Sequence, residues 1–128
     1  MKLALLVFVG GGIGSVLRWL TGLAALRLFG PGFPAGTLAV NLAGCLLMGV
    51  LARVLAGAGA GEARLLLLTG VLGGFTTFSA FALDTAALVG RGESGPALVY
   101  VLATLGGTLL AVALGLWLGD AFLSFRRS

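Results

Sequence analysis

Apolar residues gather in four long runs, at about 3–28, 36–56, 65–89 and 96–120. Each holds ~20 or more residues, enough for a helix to cross ~30 Å of hydrocarbon at ~1.5 Å per residue. The separators carry turn chemistry. "FGPGFPAG" at 29–36 has two prolines and three glycines, "GAGAGEAR" at 57–64 combines glycine with charge, and "GRGESGP" at 90–96 does both. Connections this short place neighbouring helices antiparallel. The pattern predicts an all-α membrane fold: a single domain over 1–128, four transmembrane helices and both termini on one side.

Composition sharpens that picture. Of 128 residues, 59% are hydrophobic and 9% charged, against roughly 25% charged in a soluble domain. Mean hydropathy is +1.17. The net charge of +4 comes from basic residues scattered singly, which suits membrane-end anchors and excludes a nucleic-acid patch. No histidine and a single cysteine, Cys45, exclude a Cys/His metal centre and an intrachain disulfide. A thiol in an apolar run reads as buried packing. The opening "MKLALLVFVGGGIG" resembles a signal peptide, but no A-x-A site follows and the apolar pattern continues to about Leu28. It is expected to be a retained first helix. Lys2, Arg53, Arg64, Arg126 and Arg127 fall on the terminal side, with Arg18, Arg27 and Arg91 towards the other. That distribution favours cytoplasmic termini only weakly and allows a chain that inserts both ways round.

Polar residues inside the runs are the candidates for chemistry. In the third run Gly70, Gly73 and Gly74 precede "FTTFSAF" at 75–81. Glycine costs about 1 kcal/mol in a helix interior, and the threonines add little helix propensity. A third helix broken near mid-membrane is therefore expected. A break frees backbone groups that persist in lipid only with protein, ion or water as partners. Freed carbonyls suit a cation, and a half-helix N-terminus suits an anion. The plain alternative is a kinked helix whose hydroxyls bond back to their own carbonyls.

Phe78 and Phe81, three apart, share a helix face. Packing is the usual fate of such a pair. The sharper reading turns two positive ring edges towards a narrow path, where they help a small anion shed water. Asn41, in "GTLAVNLAG", must find a partner in another helix or in an anion. Tyr100, Thr104 and Thr108 recur every four residues on one face of the fourth run, to line a path or to bond neighbouring helices. Arg18 and Asp84 are charges within spans, placed towards the same end; they can pair, or Arg18 can raise the anion concentration of a vestibule. The glycines at 10–14 and 106–108 read as close helix packing, and 10–14 is no dinucleotide fingerprint because it lies inside an apolar helix. Paired carboxylates, a nucleophile–base arrangement and a phosphate loop are all missing, so the chain does not read as an enzyme. A proton-coupled multidrug exporter would need a deep carboxylate in the first run, which has no Asp or Glu. A non-transporting assembly subunit stays open.

Four features together carry a family likeness: "GGGIGSVLRW" (10–19), "GTLAVNLAGCLLMG" (36–49), "GVLGGFTTFSAF" (70–81), and a four-run layout with Tyr100 in the last. In these the chain resembles the Fluc/CrcB family of bacterial fluoride channels over nearly its whole length. The resemblance implies an antiparallel, dual-topology homodimer with two pores, multi-pass in the bacterial inner membrane. It implies passive, selective export of cytoplasmic fluoride, which relieves fluoride toxicity. It places Asn41, Phe78 and Phe81 in the pore, with Thr77, Ser79, Tyr100, Thr104 and Thr108 as polar positions along it, and Arg18 as the vestibule arginine. It also implies a sodium ion at the dimer interface, held by the Gly73 and Thr76 carbonyls of both subunits. The implied partners are fluoride, sodium, a second copy of the chain and the lipid bilayer. The chain departs from the family at Ala80 and Ala82, where members often carry hydroxyls, and at Asp84, where they often carry Glu.

Overall fold

The computed structural model of the chain describes residues 1–57 and 59–126. Arg127, one of the terminal-side charges, lies outside the described residues. The helices are α1 (Lys2–Phe29), α2 (Ala35–Val54), α3 (61–75), α4 (Phe78–Gly90) and α5 (Ser94–Phe125). α3 and α4 together make one span, Gly61–Gly90, so among the described residues four spans are long and apolar enough to cross a membrane. The helices overrun several of the expected turns. α5 starts at Ser94, ahead of Pro96, because a proline in the first turn removes only an N–H that has no intrahelical partner.

Charged contacts fix the alternation of the spans. Lys2 Nζ meets Glu62 Oε1 at 2.8 Å, Arg64 Nη1 donates to the Leu55 carbonyl at 3.2 Å, and Arg53 Nε meets Asp120 Oδ1 at 3.3 Å. The starts of α1 and α3 therefore share one end of the bundle with the ends of α2 and α5. At the other end Arg91 pairs with Glu93 at 3.0 Å and donates to the Gly32 carbonyl at 3.3 Å. Pairs this exposed add little stability; they mark where the bundle meets water.

Close backbone approach holds the spans together. α1 lies along α3, and α2 along α5. On the first seam a Cβ at Gly10 would sit 3.0 Å from Gly70 Cα, and one at Gly14 would overlap the Val71 carbonyl. On the second, a Cβ at Gly115 would sit 3.1 Å from Gly49 Cα. Small residues matter here because lipid gives helices no hydrophobic reason to associate. Packing was expected at 106–108 as well, but Gly106 faces open space and only Gly107 meets a neighbour, Leu42.

Residues Leu65–Leu72 of α3 form a π-helix, and the α1 seam gives a reason. The Leu66 and Val71 carbonyls, five residues apart, face glycines four residues apart on α1. In an α-helix five residues turn through about 500°, which points the two carbonyls ~140° apart. The wider i→i+5 turn brings them back towards one face.

The third span departs from expectation. Gly73 is helical (φ −63°, ψ −37°), and Gly74 is used in packing, since a Cβ there would sit 2.5 Å from the Gly11 carbonyl. The irregular residues are Thr76 (φ −80°, ψ 158°) and Thr77 (φ −156°, ψ 121°), both extended. The two halves stay close to one axis, bent by 12°. The span is thus interrupted for two residues and keeps its direction.

One cluster, Phe81, Leu88, Ala97 and Tyr100, is buried between α4 and α5, with Phe33, Leu38 and Val101 packed against it. Outside, large apolar side chains such as Phe8, Trp19, Leu110 and Trp117 are exposed, as lipid contact requires.

Candidate functional site

The site forms where α2 and α5 flank the Thr76–Thr77 interruption. Asn41, 7% exposed, reaches across from α2. Its Oδ1 accepts the Thr77 N–H at 2.8 Å and its Nδ2 donates to the Thr77 carbonyl at 3.0 Å. The carboxamide thereby satisfies both polar groups of one extended residue, as a neighbouring strand would. One Nδ2 hydrogen stays uncommitted by these two bonds.

Thr77 is also the N-cap of α4. Its Oγ1 accepts the Ala80 N–H at 3.2 Å and lies 3.2 Å from Ser79 Oγ. These diversions change the carbonyls behind them. A continuous helix would send the Thr77 N–H to the Gly73 carbonyl and the Ala80 N–H to the Thr76 carbonyl. Here the first goes to Asn41 and the second to the Thr77 hydroxyl. The Gly73 and Thr76 carbonyls, which the family resemblance implies as sodium ligands, are thus among those left without helical partners, and the Gly74 and Phe75 carbonyls between them also lack one.

Three rings run away from this point. Phe78 and Phe81 lie 5.3 Å apart, and Phe81 and Tyr100 also 5.3 Å apart, both pairs tilted. Phe33, from the turn before α2, closes the row edge-on against Tyr100 at 5.6 Å. Phe81 is buried, whereas Phe78 is 73% exposed on the single chain. Tyr100 donates to Asp84 Oδ2 at 3.2 Å. Further along α5, Thr108 donates to the Thr104 carbonyl at 2.7 Å. The Thr104 hydroxyl is buried without a hydrogen-bond partner among the described residues, an unusual state for a buried polar atom.

Arg18 borders the site and makes no ion pair with Asp84, with which the sequence allowed it to pair. It lines a cavity of about 220 Å³ with Thr37, Val40, Thr77 and Ala80. A second cavity of about 330 Å³ opens near Phe33, Asp84 and Arg91, and Gly22, Gly36 and Thr37 border both. Ala80, a departure from the family pattern, thus faces the arginine cavity with a methyl group. Sequence reasoning missed Phe33 and Thr37. The first sits in a proline–glycine turn that reads as plain loop.

Comparison with known proteins gives the family. The family described as "CrcB-like protein, Camphor Resistance (CrcB)" matches residues 5–116. A protein of Mesorhizobium japonicum named fluoride-specific ion channel FluC is 53% identical over 115 residues, covering 89% of this chain and 93% of its own length. Proteins of the same name from Chelativorans sp. and Paracoccus denitrificans are 53% and 55% identical, covering 93% and 88% of this chain and 97% and 90% of their own lengths. The chain belongs to the CrcB-like family.

Proposed function

We propose that the chain is the subunit of a fluoride-selective channel, which lets cytoplasmic fluoride leave the cell down its electrochemical gradient and so limits its toxicity. It is a channel and not an enzyme. The observation that carries this reading is the Phe78–Phe81–Tyr100 row beside the Asn41–Thr77 contact, in a chain 53% identical over 115 residues and 55% identical over 113 residues to proteins named for fluoride conduction.

The chemistry fits a small, strongly hydrated anion. Such an ion crosses only if its water is replaced by partners that hold it weakly enough to release it. Ring edges of Phe78 and Phe81 offer partial positive charge. The second Nδ2 hydrogen of Asn41 and the hydroxyls of Thr77, Ser79, Tyr100, Thr104 and Thr108 offer donors along the same course. The unpartnered Thr104 hydroxyl is free to turn its proton to a passing ion. Arg18, with no ion pair among the described residues, concentrates anions in the cavity without a carboxylate to compete for it.

The working assembly in this reading is an antiparallel homodimer of dual topology in the bacterial inner membrane, with two pores. Phe78, Ser79 and Gly73 are exposed on the single chain, and backbone carbonyls facing lipid are costly. A second, oppositely inserted copy would cover them, and the near balance of basic residues permits either orientation. Sodium fits the Gly73 and Thr76 carbonyls, which are oxygen donors of the type hard cations prefer and lack their helical N–H partners. Bound there, the ion would neutralise partial negative charge at the dimer centre.

Current through planar bilayers tests the passive mechanism. It should reverse at the fluoride equilibrium potential and ignore a proton gradient. Reversal that follows the proton gradient would instead support a proton-coupled exporter.

A further inference from the structure

Asn41 and Gly44 stand one turn apart on α2 and meet consecutive residues of the interruption. The Asn41 carboxamide holds the Thr77 N–H and carbonyl, and only one orientation of the amide serves both bonds. Gly44 meets Thr76: a Cβ there would overlap the Thr76 Cγ2 methyl and sit 3.4 Å from Phe75 Cδ1. From its other side Thr76 is tethered by its hydroxyl, which donates to the Leu72 carbonyl at 3.0 Å.

We propose that Asn41 and Gly44 form a positioning edge that sets the backbone of Thr76 and Thr77, and that this one edge aims the Gly73 and Thr76 carbonyls at the cation while it shapes the fluoride path. The inference rests on the channel reading above and adds a coupling between its two ion sites. Asn41 draws the Thr77 N–H off the Gly73 carbonyl. With Thr77 held extended, its hydroxyl takes the Ala80 N–H that a continuous helix would give to Thr76. The same contact thus acts on both carbonyls, within an interruption that also leaves those of Gly74 and Phe75 without helical partners. Releasing them costs free energy at membrane depth, and the paired Asn41 bonds offset part of it. Gly44 admits the Thr76 methyl between α2 and α3, which lets Asn41 come within bonding distance. Gly44 has no side-chain donor, so its importance cannot come from touching an anion.

Full-length protein in lipid decides this through Thr77 amide hydrogen exchange and fluoride flux, compared in wild type, Gly44→Ala, and Gly44→Ala with Thr76→Ser. Gly44→Ala should speed Thr77 amide exchange by about tenfold or more and slow flux. Adding Thr76→Ser deletes the methyl that the new Cβ meets and keeps the hydroxyl bond, so it should restore both. If Gly44→Ala alone fails to assemble, recovery of assembly by Thr76→Ser supports the positioning edge equally. Wild-type protection of Thr77 in Gly44→Ala, or no recovery on adding Thr76→Ser, would overturn the proposal. Exchange is read whether or not the protein conducts, so protected, rescuable Thr77 without fluoride conduction would count against the channel reading alone.

Discussion

The Phe81 and Tyr100 rings meet at 5.3 Å with their planes tilted by 47°, and they bind α4 to α5 at the point where Tyr100 is fully buried. Phe78 continues the row but is largely exposed. The two phenylalanines should therefore respond differently to substitution. Phe81→Ile keeps apolar bulk in a core position and should cost less than about 1.5 kcal/mol. Phe78→Ile should leave the stability of the single chain unchanged. Both should slow fluoride efflux by about tenfold or more, which is a barrier increase of about 1.4 kcal/mol. Unchanged efflux in both, with intact assembly, would return the pair to packing.

Thr104 offers a separation of stability from conduction. Its buried hydroxyl has no partner among the described residues, and an unsatisfied buried group costs about 1–3 kcal/mol. Thr104→Val removes that hydroxyl at nearly constant shape. It should leave thermal stability equal or higher while efflux falls. A clear loss of stability would mean that the hydroxyl has a structural partner in the assembled protein.

The glycine seams predict a positional contrast. Gly14→Ala drives a methyl into the Val71 carbonyl, and overpacking of this kind costs about 1–3 kcal/mol. Gly12→Ala meets nothing within 4 Å and should be neutral, or stabilising by up to about 1 kcal/mol through helix propensity. Unfolding in detergent or lipid measures the difference, and equal effects would contradict the seam.

How far the chain could be read in advance varies with the kind of signal. Span number, order and the Phe78–Phe81 pairing follow from periodicity, which is local. The interruption does not. Intrinsic propensity points at Gly73 and Gly74, yet Gly74 serves close packing against Gly11 and the irregular backbone falls on Thr76 and Thr77. The cause sits 36 residues upstream, in the carboxamide of Asn41, and no local pattern carries a contact of that range. The π-helix at Leu65–Leu72 escapes notice for the same reason, since it answers to the spacing of glycines on α1. Phe33 shows the opposite limit: its turn is legible, but its edge-on contact with Tyr100 is tertiary.

The proposed cation site makes a prediction about buffer composition. Replacing sodium on both sides of the membrane with a large organic cation should slow fluoride efflux by about tenfold, and returning sodium should restore it. Equal rates with and without sodium would argue that the Gly73 and Thr76 carbonyls are satisfied by something else.

Fluoride conduction is tested most directly by loading liposomes that carry the purified, reconstituted protein with potassium fluoride and diluting them into fluoride-free buffer. Adding a potassium ionophore removes the charge block. Rapid release of fluoride to the outside, far above that from protein-free liposomes and absent when chloride replaces fluoride, is the predicted result. Release no faster than from protein-free liposomes, with the assembly intact, would contradict it.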